Sequence, residues 1–150
     1  LVPFAYALTR EVDTQKNASA KFNWDKGTLT HIDYKGVNDL PLTKGTLDRL
    51  SLLYHLPMQA QSEQSEFKFS LTDGNNLEPY SFIFSDKERE ITVPLGTYTT
   101  RHISNTPIAT EIRYDIWMAK ELDNFPCKVI VTDSSGGKLT QVLTQLTITP

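Results

Sequence analysis

The chain has 150 residues, 39% hydrophobic and 22% charged, a balance that fits one globular domain with a real core and is too apolar for disorder. Fifteen basic against eighteen acidic residues leave a net charge of −3, which argues against a nucleic-acid binder with its basic face. No apolar run reaches the roughly 18 residues that a membrane-spanning helix needs, and the single Cys excludes an internal disulfide and a CxxC metal pair.

In chain order, the start Leu1-Val2-Pro3-Phe4 carries no Met, basic region or apolar leader, so a mature or trimmed chain is expected. Strand patterns begin at once. Phe4, Tyr6, Leu8 and Val12 share one parity, and Ala18, Ala20, Phe22 and Trp24 share another run. Phe67, Phe69 and Leu71 alternate with polar residues up to the turn Thr72-Asp73-Gly74-Asn75-Asn76, after which Tyr80, Phe82 and Phe84 follow. Ile112, Tyr114, Ile116 and Met118 alternate with Glu111, Arg113 and Asp115. Cys127, Val129 and Val131 lead into the hairpin signal Asp133-Ser134-Ser135-Gly136-Gly137. Leu139, Val142, Leu146 and Ile148 close the chain, with a phase slip near 140–142 that suggests a bulge. Thr, Val and Ile supply 34 of the 150 residues, the enrichment that pleated surfaces favour. The pattern predicts one all-β, mainly antiparallel domain over residues 1–150, an open barrel or roll of about nine strands.

One segment departs from period two. Leu47, Leu50, Leu53 and Tyr54 recur at three- and four-residue spacing, which predicts a short helix over 46–56 that plugs an end of the roll. Thr46 and Asp48 suit its start and Pro57 its stop. Five leucines and a tyrosine in ten positions exceed what one stripe needs, so Leu50, Leu53 and Tyr54 are expected to point into the β core.

The same segment, Thr46-Leu47-Asp48-Arg49-Leu50-Ser51-Leu52-Leu53-Tyr54-His55-Leu56, resembles the helix motif of the bacterial family called domain of unknown function 3108. Three further segments agree: Pro3-Phe4 to Arg10, then Pro94-Leu95-Gly96-Thr97-Tyr98-Thr99-Thr100, then Ile116-Trp117-Met118-Ala119 through Leu122, Phe125, Pro126 and Lys128. The resemblance covers essentially the whole chain. It implies an exported protein of Gram-negative bacteria, located in the periplasm and made with a signal peptide. It also implies that further strands precede Pro3 in the full domain, leaving a bare edge near residues 4–12 that would pair with a second copy. It supplies no catalytic residues.

The chemistry-bearing residues form no recognised catalytic motif. There is no G-x-S-x-G elbow, and Ser51, one turn from His55, reads as a helix surface group rather than a nucleophile. His31, His55 and His102 lie on separate elements without metal-ligand spacing. Thr72 to Asn76 reads as a turn, not a calcium loop. Asp86-Lys87-Glu88-Arg89-Glu90 reads as a solvated hairpin end. No catalytic residue, metal or cofactor is expected. Asp48 is read as a helix cap, and Arg49 as a bidentate clamp on a strand carbonyl or carboxylate, or as a ligand contact. The aromatic stripes read first as core and second as the wall of a lipophilic pocket, whose binding residues would be Arg49, Tyr54, Phe67, Phe69, Phe82 and Trp117. Cys127 is expected to be a buried, unreactive thiol. Function is accordingly read as a non-catalytic envelope protein binding a lipid or other hydrophobic or amphipathic molecule. An envelope scaffold pairing through a sheet edge and an unrecognised hydrolase follow as alternatives.

Overall fold

The computed structural model describes residues 2–106 and 112–149; Leu1 and Glu111, quoted in the patterns above, lie outside them. Among the described residues there are eleven strands and one α-helix. The smaller sheet has four antiparallel strands in the order β1 (Ala5–Leu8), β2 (Ala18–Asn23), β3 (Thr28–Asp33), β4 (Gly36–Pro41). The larger has seven strands. Its chain order is β5 (Leu47–Asp48), β6 (Glu66–Thr72), β7 (Leu77–Val93), β8 (Gly96–Asn105), β9 (Arg113–Ala119), β10 (Phe125–Thr132), β11 (Lys138–Val142), and its spatial order is the reverse, from β11 to β5. Nearly all neighbours pair antiparallel. The exception among the described pairings is the short parallel pair Leu47↔Leu71 and Asp48↔Thr72, whose crossover contains helix α1 (Arg49–Gln59).

The residues group into two compact units. Unit 1 comprises residues 1–55 and 68–80. Its core packs Tyr6, Ala20, Phe22 and Leu29, with Leu8, Trp24, Leu40, Leu42 and Leu77 against them. Unit 2 comprises residues 56–67 and 81–150. It buries Phe67 edge-on to Phe84 with centroids 5.6 Å apart and Phe82 against Tyr114 at 6.1 Å, and a second cluster gathers Val93, Ala119 and Cys127.

Most alternating faces fall as their parity requires. Ala18, Ala20 and Phe22 are buried, as are Tyr80, Phe82 and Phe84, and Tyr114, Ile116 and Met118. Four expectations are corrected. First, Phe4 and Val12 lie outside β1 and are exposed, Val12 fully. Second, Leu139 and Val142 are exposed, because β11 is an edge strand, and Ile148, also exposed, lies beyond it. The strand also pairs with β10 in continuous register, and the irregularity lies instead between Pro126 and Lys128. Third, the charged run 86–90 is no hairpin end. It crosses the interior of β7, where register shifts between Phe84 and Glu88 and Glu88 takes an ion pair from Lys120 at 2.6 Å.

The fourth correction is the face of the helix. Asp48 caps α1, its Oδ1 accepting from the Leu50 and Ser51 amides at 2.9 and 2.8 Å. Leu52 and Leu56 face inward, at 1% and 0% exposure, and Leu50 and Tyr54 face outward at 59% and 57%. Leu53 is only partly buried. Pro57 does not stop the helix, which runs on to Gln59. Leu52→Ala should therefore cost about 2–5 kcal/mol of stability, whereas Leu50→Ala should stay within about 0.5 kcal/mol. Denaturant unfolding of the two variants checks the orientation.

Candidate functional site

Unit 1 contains a cleft of about 580 Å³, a volume within the roughly 300–1,000 Å³ of small-molecule sites. Five pieces of chain converge on it: the end of β1 with the segment after it, β3, the β3–β4 turn with the start of β4, the first residue of α1, and the β6–β7 turn. None of these is adjacent to all the others in sequence; the antiparallel pairing and the β5–α1–β6 crossover bring them together.

His31 on β3 lies on the wall and is 3% exposed. Its Nε2 sits 2.7 Å from Thr72 Oγ1 at the end of β6. Thr72 Oγ1 also accepts the Gly74 amide at 3.1 Å. The fully buried Thr72 hydroxyl must place its own proton, and among the described hydrogen bonds only His31 Nε2 accepts it. Nε2 is then the acceptor and the ring proton sits on Nδ1. Nδ1 has no partner at hydrogen-bond geometry, although the Asn75 main chain lies close enough to favour the charged ring slightly. Gly74 makes this arrangement possible. Its φ is +93°, and a Cβ there would stand 3.0 Å from the Ala18 Cβ, so only glycine fits the turn without a shift.

The neighbouring turns are tied internally. Asp73 Oδ1 accepts from the Asn75 and Asn76 amides at 2.9 and 2.8 Å, and its Oδ2 lies 3.9 Å from Arg49. Asp33 Oδ1 accepts from the Lys35 amide at 2.8 Å. Four cationic side chains, Arg10, Lys16, Lys35 and Arg49, stand on the walls against the two carboxylates Asp33 and Asp73. Burial pushes the His31 imidazole below its ordinary value of 6.5, against the opposing pull of Asp73 and Asp33, so the ring is neutral at neutral pH.

Of the six residues expected to bind a ligand, Arg49 alone is on the wall of this cleft. It reaches Asp73 and also bonds the Tyr6 hydroxyl; the approach to Asp73 is a single long contact rather than a bidentate clamp. Tyr54 is outward on α1. Phe69 packs edge-on to the His55 ring at 5.3 Å. Phe67 and Phe82 are core of unit 2. Trp117 lies between the His102 ring at 4.8 Å and Lys128 Nζ at 5.3 Å. Beside it, His102 Nε2 and Arg113 both meet Asp115, each at 2.8 Å. Burial pushes the Asp115 carboxyl up, but the Arg113 and His102 hydrogen bonds outweigh that and hold it below the usual range.

Sequence reasoning missed His31, Arg10 and Lys35. The one available signal was the turn chemistry of Thr72 to Asn76, read only as a turn. Ser51 does not pair with His55; its hydroxyl donates to Asp48 Oδ2 at 2.8 Å. Cys127 is buried and burial raises its thiol pKa, which removes thiolate character. A second hollow in unit 1, of about 760 Å³, has Phe4, Phe22 and Trp24 on its wall, but it holds no buried polar atom seeking a partner among those described.

Fold and cleft together define a mainly antiparallel two-sheet protein with a polar, cation-lined recess. The chain belongs to the family described as "Protein of unknown function (DUF3108)", whose model matches residues 1–144. No curated protein and no solved structure matches the chain. No helix among the described residues is long and apolar enough to cross a membrane.

The histidines set a pH dependence. Burial depresses both His31 and His55 below 6.5, so on acidification the unfolded chain takes protons that the native state resists. Stability is then fully present above about pH 6.5 and declines as pH falls toward the native values. Melting temperature should drop between about pH 7 and pH 5, and the drop should be smaller in His31→Gln. A flat profile in the parent chain would contradict burial of a neutral His31.

Proposed function

We propose that this chain is a non-catalytic, exported binding protein of the Gram-negative cell envelope, which seats the polar part of an amphipathic ligand in the cleft of unit 1. The observation that carries the reading is His31: a nearly fully buried imidazole among the cleft's lining residues, whose Nδ1 has no protein partner at hydrogen-bond geometry. A buried donor left unmade costs about 1–3 kcal/mol, and a ligand acceptor recovers it. The non-catalytic reading is supported by the commitments of the groups a hydrolase would use. Ser51 is tied into the helix cap, Cys127 is a buried thiol with a raised pKa, and His31 faces Thr72, whose hydroxyl already accepts a backbone amide. Location in the periplasm rests on the family resemblance alone. A wholly apolar ligand is less well supported, because Phe67 and Phe82 are spent on core packing.

The test is native mass spectrometry of the protein recovered from its own envelope, beside His31→Phe recovered in the same way. The reading expects a bound small molecule on the parent chain and its loss from the variant. A parent chain that carries nothing, and that no envelope extract stabilises against heat, would refute it.

A further inference from the structure

We infer that the group held in the cleft is an oxyanion, a phosphate or carboxylate, gripped by Arg10 and Lys35 and hydrogen-bonded by the His31 Nδ1–H; this rests on the cleft being the ligand seat. The charges point one way. The protein as a whole carries −3, yet four cations face two carboxylates around this recess. Both carboxylates are already engaged, Asp73 by two turn amides and Arg49, and Asp33 by the Lys35 amide. Lys16 is paired with Asp13 at 3.1 Å. The side chains of Arg10 and Lys35 make no ion pair among the described residues, and Lys35 Nζ rests over the Tyr34 ring at 5.6 Å.

The deepest polar group is also a donor. Thr72 gives its proton to Nε2, so Nδ1, which has no protein partner at hydrogen-bond geometry, carries hydrogen and can donate to an acceptor. A cationic head would meet a donor and an excess of positive charge. A neutral head would satisfy His31 but leave the guanidinium and ammonium in place without a counter-charge. An oxyanion satisfies all three, since its several oxygens accept charge-assisted hydrogen bonds from Arg and Lys together with the neutral imidazole N–H. The same chemistry belongs to a lipid headgroup and to a free small anion.

Calorimetric titration of the full chain at low salt separates the cases, with inorganic phosphate, choline, and phosphatidylcholine vesicles with and without phosphatidylglycerol. The inference expects phosphate to bind, to weaken as salt is added, and to bind roughly tenfold more weakly to Arg10→Gln and to Lys35→Gln. Both side chains are exposed, so these variants keep the fold even if His31→Phe does not. Binding of the phosphatidylglycerol vesicles that is lost in the same variants supports the oxyanion as a lipid head. Phosphate binding without vesicle binding supports it as a free anion. Phosphate that binds the parent chain and both variants alike sits elsewhere and overturns the inference. So does choline binding in place of phosphate, although the cleft would then remain a ligand seat. If no probe binds while the parent chain still carries an envelope compound that His31→Phe loses, the oxyanion is wrong and the seat stands.

Discussion

The hydrogen bond between His31 and Thr72 organises unit 1. It is 2.7 Å long and both residues are buried. It joins β3 of the four-stranded sheet to the end of β6 in the seven-stranded one. Burying an imidazole and a hydroxyl is unfavourable unless their polar atoms are paired, so the two strands must meet at this register. The remaining commitments follow from it. Thr72 holds the Gly74 amide, Gly74 closes the turn against Ala18, Asp73 ties off the turn amides, and Arg49 comes to Asp73 from the first residue of α1. Asp48, paired with Thr72 across the parallel strands, caps that helix, which buries Leu52. A cleft with one open donor is what remains where these segments converge.

Charge then distinguishes this recess from the rest of the surface. Aromatic residues, which a lipophilic site would need on its wall, are mostly consumed elsewhere: Phe67 against Phe84, Phe82 against Tyr114, Trp117 between His102 and Lys128. Around this recess of unit 1 stand four cations over turn carboxylates that are themselves occupied. The recess is polar because its walls are turns and strand ends, which carry the residues that satisfy backbone amides, rather than sheet faces, which carry the core.

The all-β class, most buried faces and two turns were legible because period two and Asx-type turn chemistry act over a few residues. The helix was legible in existence and not in orientation. Leu50 with Tyr54 and Leu52 with Leu56 have identical four-residue spacing, so either pair could be the buried stripe, and only tertiary packing chooses Leu52 and Leu56. Strand β4 was invisible because nearly all of its residues are exposed, which removes the alternation that marks a strand. Val12 and Leu139 show the opposite error, apolar parity without burial at a strand end and a sheet edge. The cleft left no motif. His31, Arg10 and Lys35 are scattered singly, and what unites them is tertiary pairing that no local spacing encodes.

The claim on which this account rests is that His31 is a neutral ring carrying its proton on Nδ1, the nitrogen left without a protein partner. Long-range proton–nitrogen correlation spectroscopy of the His31 imidazole at neutral pH reads this directly. The account predicts a neutral ring with the proton on Nδ1 and with Nε2 showing the signature of an unprotonated, hydrogen-bonded acceptor. A proton on Nε2, or a charged ring at neutral pH, would contradict it.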